Sequence, residues 1–314
     1  MITGLVILLL LLATGLLYIY RWNIVHPLKS GVIQLDGLNR KFVYHVPKKL
    51  SPHPRLIILY HGTGMVAPLM QILTGHEFDE LADREQHTII VYPQGYKNNW
   101  NDCGRQAPYA ARRLHLDDIE FTRQIIDYFS SRYQVNTQEV YAAGFSNGGQ
   151  MVMKLARQQP QWFKGFAVIS ASIPVEVTDD CADARGPVSL LLMNGQKDPI
   201  NPFNGGTIIL NGKNYGDVMS TNATLQYWLG VSGCSTEAAA TTAYPPPQTG
   251  RQATAYKTDY YSPVTRRQVS FVNILDGGHT IPNRNFHITI PIMGHINKDV
   301  DAPAIIWEFF AGLQ

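Results

Sequence analysis

Continuous apolar runs of strand length, at residues 56–60, 88–92, 140–143, 166–170 and 189–193, constrain this chain more than any other feature. A strand with one wet face alternates apolar and polar residues, whereas an unbroken apolar run has to be covered on both faces. Segments of helical period separate the runs. The clearest spans 118–133 and is preceded by Asp117 with Glu120 three residues later, the pattern of a capping box. Doubly covered strands alternating with amphipathic helices predict a mostly parallel central sheet with helices on both faces. Ligands of such a sheet bind beyond the carboxyl ends of its strands. Ahead of these runs, residues 32–35 and 42–46 alternate around Asp36-Gly37, which predicts an opening hairpin.

A chain of 314 residues suits one large α/β domain. We expect that domain to span 32–314. The segment 238–252, with Pro245-Pro246-Pro247, has the composition of a linker, but candidate site residues lie on both sides of it, so it reads as a surface loop. From residue 2 to residue 20 there is no charge, and Arg21 ends the apolar run. At helical rise such a run reaches about 28 Å, close to the thickness of a bilayer core. Tyr18, Tyr20 and Trp22 stand at one end, where amphipathic rings favour the headgroup layer. Residues 1–22 are therefore expected to form a transmembrane anchor, with 23–31 as a stem. The alternative is a cleaved signal peptide, with 5–12 as its apolar region and Ala13-Thr14-Gly15 as the cut site.

Charged residues make up 16% of the chain, the formal net charge is +2, and no basic stripe follows one face. This excludes the electrostatic footprint of a nucleic-acid binder. The cysteines, Cys103, Cys181 and Cys234, contain no C-x-x-C, which argues against a zinc site. At most one disulfide can form, and the spacing leaves its pairing open.

Gly144-Phe145-Ser146-Asn147-Gly148 is a G-x-S-x-G that follows the apolar run 140–143 and opens the helical segment 149–158. That context separates it from an ordinary glycine-rich turn or a phosphate loop, which would want a lysine. A serine on a tight strand-to-helix turn needs glycine two residues to either side, because the backbone there passes close to neighbouring elements. A serine hydroxyl is a poor nucleophile at neutral pH, so a base has to take its proton and a third group has to orient that base. The run 189–193 leads into Asn194-Gly195-Gln196-Lys197-Asp198, and 268–275 leads into Asp276-Gly277-Gly278-His279. Both place a polar side chain just past a strand's carboxyl end. Ser146, Asp198 and His279 then follow in the chain order of the α/β-hydrolase fold and share one rim. Asp179 and Asp180 compete for the acid, but no strand precedes them. His287 and His295 compete for the base, but neither follows a glycine turn at a strand end. A two-histidine metal site lacks a third ligand at suitable spacing.

Acyl transfer also needs donors for the oxyanion. The run 56–60 enters His61-Gly62-Thr63-Gly64, whose small residues can present the Thr63 amide, and the Asn147 amide follows the nucleophile. His61 itself reads as a side chain that stabilises the turn.

Several motifs in order resemble the polyhydroxybutyrate depolymerase and feruloyl esterase group, related to carbohydrate esterase family one. They are the His61-Gly62 loop, Tyr92-Pro93-Gln94-Gly95, Trp100-Asn101, Asp117-Asp118, Ser146-Asn147-Gly148-Gly149, Asp198-Pro199 with Pro202 and Gly205-Gly206, and Gly278-His279-Thr280. The resemblance implies an α/β-hydrolase fold, no metal or organic cofactor, and esters of hydroxy acids or aromatic acids as substrates. It gives Ser146, Asp198 and His279 the roles already read from the residues, and it makes Trp100 and Ile281 candidate substrate-binding positions. Two departures stand out. Thr63 replaces a frequent cysteine, and Ile281 replaces a frequent tryptophan, which weakens the expectation of a stacked flat ring there.

The expected activity is that of a serine carboxylic ester hydrolase working through an acyl-enzyme. An acyltransferase would share that intermediate and is the alternative; a serine peptidase or a catalytically inert binding protein fits less well. The side of the membrane is set by opposing signals. Arg21, Lys29, Arg40 and Lys41 follow the apolar run and none precedes it, which favours a cytoplasmic domain. The resemblance points outward, and long domains translocate with little regard to flanking charge. We expect the domain outside the cytoplasmic membrane.

Overall fold

Leu56, Ile58 and Tyr60 project from one side of a central strand, Ile57 and Leu59 from the other, and all five are buried. In this computed structural model, which describes residues 28–181, 183–245, 250–286, 288 and 290–313, both faces of the sheet are therefore covered, as the unbroken apolar runs require. The expected anchor at 1–22, the first part of the stem and His287 lie outside the described residues. Among the described residues no helix is long and apolar enough to cross a membrane.

The strands are β1 (Lys29–Leu35), β2 (Leu38–His45), β3 (Arg55–Tyr60), β4 (Thr88–Pro93), β5 (Val140–Phe145), β6 (Gly165–Ile169), β7 (Leu190–Gly195), β8 (Gly206–Leu210), β9 (Lys213–Val218), β10 (Ala240–Tyr244), β11 (Ala255–Ser262) and β12 (Arg267–Ile274). Ten of them form one sheet in the order β1-β2-β4-β3-β5-β6-β7-β12-β11-β10, and β8 pairs only with β9. The stretch from β4 to β12 is parallel throughout. Antiparallel pairs close both ends.

The helices are α1 (Ala67–Leu73), α2 (Glu77–Glu85), α3 (Ala110–Arg113), α4 (Asp118–Tyr133), α5 (Asn147–Gln158), α6 (Thr221–Ser232) and α7 (Ala302–Gly312). Phe121 and Phe129 of α4, Met151 and Leu155 of α5 and Trp228 of α6 pack on the face that carries Leu56 and Ile58. Met70 of α1, Phe78 of α2 and Ile306 and Phe310 of α7 pack on the face that carries Ile57 and Leu59. The architecture is thus a mixed α/β fold with a large central sheet between two helical layers, consistent with an α/β-hydrolase.

The opening hairpin forms around Asp36 (φ 51°) and Gly37 (φ 73°), with Leu35 opposite Leu38. At the start of α4 the Asp117 carboxylate accepts from the Glu120 amide at 2.8 Å. The reciprocal half of the expected capping box is absent, because the Glu120 carboxylate is taken by Arg123 and Gln124. The segment 238–252 differs more from its expectation. Its residues Ala240–Tyr244 form an edge strand paired antiparallel with β11, where exposed Ala and Thr side chains and polar neighbours disguise strand structure as loop composition.

One buried ion pair ties the hairpin to the helical layer. Arg40 donates to Asp118 Oδ1 with both side chains almost wholly buried, its guanidinium lies 4.2 Å from the Phe121 ring centroid, and Asp118 Oδ2 accepts from the Asn101 amide at 2.7 Å. Removing one partner leaves the other charge buried without compensation. Asp118→Ala is therefore expected to lower unfolding free energy by roughly 3–5 kcal/mol in denaturant titrations. The double variant Arg40→Met/Asp118→Asn should lose less than Asp118→Ala alone, since no charge stays behind.

Candidate active site

The turn from β5 into α5 leaves no room for side chains on its flanks. A Cβ on Gly144 would lie 2.2 Å from the Gly148 carbonyl oxygen, and one on Gly148 would lie 2.2 Å from the Tyr60 carbonyl oxygen. Ser146, between them, adopts φ 56° and ψ −121°, a conformation that costs a side-chain-bearing residue on the order of 1–3 kcal/mol. Its amide donates to the Ile169 carbonyl at 2.9 Å, which holds the turn in place.

Asp198 follows β7 and His279 follows β12, the parallel neighbour of β7. Their loops touch closely: a Cβ on Gly195 would stand 2.2 Å from the Gly277 carbonyl oxygen, and the Lys197 amide donates to that carbonyl at 3.0 Å. The His279 amide donates to the Met293 carbonyl at 2.7 Å. This scaffold brings His279 Nε2 to 2.9 Å from Ser146 Oγ and His279 Nδ1 to 2.8 Å from Asp198 Oδ2. Asp198 Oδ1 accepts from the amides of Ile200 and Asn201, each at 2.8 Å. An ionised Asp198 so held fixes the tautomer with Nδ1 protonated, leaving the Nε2 lone pair directed at the serine.

The competing residues are engaged elsewhere. Asp179 pairs with Arg157, Asp180 with Arg105 and Arg112, and exposed His295 with Asp276 at 3.2 Å. Asp179 also lies beside Cys103 and Cys181, which form a disulfide, so those sulfurs are not metal ligands; Cys234 is the free cysteine.

A cleft opens at Ser146 and is lined by Thr63, Tyr109, Asn147, Gln150, Asn201, Tyr215 and His279, among others. Among the described residues, no acceptor is paired with the backbone amide of Thr63 or of Asn147. The loop that carries Thr63 is anchored by His61. Its Nδ1–H donates to the Gly62 carbonyl at 2.8 Å, and its Nε2 accepts from the Gly95 amide at 3.0 Å. Gln94 adds a bond from the Ala67 amide to its Oε1 at 2.8 Å. The Thr63 hydroxyl meets the Tyr109 hydroxyl at 2.8 Å.

Trp100, expected at the substrate, is placed otherwise. It is 0% exposed, its indole N–H donates to the His61 carbonyl at 2.8 Å, and its ring packs on Tyr60 and His61. A large ring with one donor finds its lowest free energy buried with that donor satisfied, and Trp100 supports the Thr63 loop from beneath. Ile281 is buried and lines a second, apolar cavity that shares His279 with the first cleft.

Two contributors escaped the sequence reading. The hairpin β8–β9 walls the cleft with Ile208, Leu210 and Tyr215. Its signal was Asn211-Gly212 (φ 50° and 71°), a turn pair of the kind that joins two-residue hairpins. The other is Asp102. Asn147 Oδ1 accepts from the Trp100 amide at 2.8 Å while its amide nitrogen donates to the Asp102 carboxylate, so the residue after Ser146 is fixed by its side chain. Burial pushes the Asp102 carboxyl up to about 6, against hydrogen bonds from Gly104 and Asn147 that pull it down.

Comparison with known proteins gives the class: an esterase of mixed α/β architecture. A model of the family described as "Putative esterase" matches residues 36–205, more than half of the chain, and the chain belongs to that family. It is 26% identical over 289 residues to the putative esterase NocK of Nocardia uniformis subsp. tsuyamanensis, covering 89% of this chain and 81% of that protein. It is 24% identical over 289 residues to a probable feruloyl esterase C of Aspergillus niger, covering 90% and 87%. Among solved structures, the acetyl xylan esterase from Aspergillus awamori superposes with a TM-score of 0.56 at 16% identity, over 81% of this chain and 95% of that one, a likeness of fold. The protein is an esterase, a carboxylic ester hydrolase.

His61 supplies a pH test of the loop. Burial pushes its imidazole down to about 4 from an ordinary 6.5, so it is neutral in the folded state. The unfolded chain takes up the proton first as pH falls, so stability present above about 6.5 is lost progressively towards about 4. The full loss is on the order of 3 kcal/mol. In His61→Gln the slope of unfolding free energy against pH across that window should flatten by about 1 kcal/mol per unit relative to the parent. Equal slopes in urea titrations would assign the proton uptake to other groups.

Proposed function

We propose that Ser146 is the nucleophile of this esterase, His279 its general base and acid, and Asp198 the group that orients His279. What carries the reading is the unbroken chain of hydrogen bonds from Ser146 Oγ through His279 to Asp198, at 2.9 and 2.8 Å, beyond the carboxyl ends of three parallel strands. In acylation, Ser146 Oγ bonds to the ester carbonyl carbon as its proton passes to His279 Nε2, and the oxyanion receives the Thr63 and Asn147 amides. The carbon–oxygen bond to the alcohol then breaks, and His279 returns the proton to the leaving oxygen. Water attacks the acyl-enzyme with His279 as base, releasing the acid and restoring Ser146.

For the acyl group we propose the acetyl or feruloyl type, in keeping with the names of the relatives, or the hydroxyalkanoate type that the sequence motifs imply. A panel of p-nitrophenyl esters graded by acyl length, with feruloyl esters and hydroxybutyrate oligomers, ranks these. Ser146→Ala should abolish hydrolysis and phosphonate labelling while the protein stays folded, because only a hydroxyl is removed. Asp198→Asn should keep the fold and lower turnover by about 10⁴-fold, since an amide can hold the imidazole in the wrong tautomer. Labelling at another serine, or near-parental turnover of Asp198→Asn, would move the roles elsewhere.

We further propose that the domain works outside the cytoplasmic membrane, tethered through residues 1–22. The Cys103–Cys181 disulfide supports this, since reducing cytosol keeps thiols apart. Protease added to intact spheroplasts should digest the domain; protection until lysis would reverse the placement.

A further inference from the structure

The two cavities at His279 differ in chemistry and in which reacting groups they reach. Thr63, Ser146 and Asn147 all line the first cleft and none lines the second. The second is bounded by aliphatic, aromatic and thioether side chains, among them Phe145, Ile281, Ile290, Met293 and Ile296, together with His279 and Thr280. The Thr280 hydroxyl already donates to the His295 carbonyl at 3.2 Å, and the Phe145 ring packs 5.1 Å from the His279 ring. Little in this cavity can satisfy a hydroxylated ligand, so filling it with a sugar would strand polar groups. Its mouth carries further apolar surface: Ile288 is 66% exposed and Ile290 47%.

From this asymmetry we infer that the cavity beside Ile281 binds an aliphatic alcohol moiety of the ester, so that the enzyme favours alkyl over polyhydroxyl leaving groups. The inference rests on the roles proposed above for Ser146, His279 and the two amides. The carbonyl carbon has to sit at Ser146 Oγ with its oxygen at the Thr63 and Asn147 amides, which confines the acyl side to the first cleft. The departing oxygen has to lie within hydrogen-bond reach of His279 Nε2 to receive its proton. The chain attached to that oxygen therefore leaves past the imidazole, and the apolar cavity borders the same His279 ring. Ile281, with no flat ring to offer, suits an alkyl chain.

The test uses acetate esters of ethanol, butanol, hexanol and octanol, with a matched series of ethyl esters of lengthening acids. Each methylene buried is worth up to about fourfold in kcat/KM, so hexyl acetate should exceed ethyl acetate by at least about tenfold. Ile290→Asn and Ile288→Asn change exposed side chains that the fold tolerates, and each should lower the hexyl-to-ethyl ratio. A flat alcohol series, a ratio unmoved in both variants, or a gain that follows acid length instead would overturn the inference. Ethyl acetate hydrolysis abolished by Ser146→Ala shows that the underlying roles hold in any of those cases; ethyl acetate hydrolysis that survives Ser146→Ala would overturn the roles themselves.

Discussion

At the head of β5 the start of α5 runs so close to β5 and to the end of β3 that nothing larger than glycine fits at positions 144 and 148. That approach forces Ser146 into positive φ and lifts its hydroxyl clear of the sheet. The rest of the site is arranged around this fixed point. The loop of Thr63 is the continuation of β3, the strand that Gly148 presses against, so Ser146 and the Thr63 amide are positioned by one contact. The strain at Ser146 persists because β5, β6 and α5 over-determine it. Stability is thereby given up locally where the chemistry needs a geometry the chain would not adopt alone.

A second layer of buried polar bonds converts this fixed point into a shaped cleft. His61, Gln94 and Trp100 are linked to one another and to the loop of Thr63, so the loop's backbone direction does not depend on its own small residues. Asn147 is held in the same way by Trp100 and Asp102. Groups as buried as these are costly when unpaired, and that penalty makes the arrangement specific: few alternative loop paths would satisfy all of them.

How much was legible in the sequence follows from what kind of signal each feature leaves. Parallel strands covered on both faces leave unbroken apolar runs, so β3 to β7 and the fold class were readable. Ser146 and Asp198 were readable because each stands just past such a run, and His279 because it follows a glycine turn at the end of the strand-like segment 268–275. β10 was not, since an edge strand with one wet face and small polar residues carries no apolar run. Trp100 was misplaced for a different reason. A motif tryptophan suggests a substrate platform, and only the three-dimensional structure reveals a donor buried against the His61 carbonyl. Asp102 leaves no periodic or motif signal at all, because its importance is a matter of burial and of partners distant in the chain.

The walls of the two cavities come from unrelated stretches of chain. Hairpin β8–β9 closes one side of the first cleft, Phe286, Ile288, Ile290, Met293 and Ile296 close one side of the second, and the two linings have only His279 in common. Neither stretch contributes to the ten-stranded sheet. The Met293 and His295 carbonyls hold the Gly278-His279 turn, so the side chains of the second stretch are freer to vary than its backbone path. Side-chain changes on the two walls can thus reshape one cavity at a time, which lets relatives on this scaffold differ at one cavity while the other is kept.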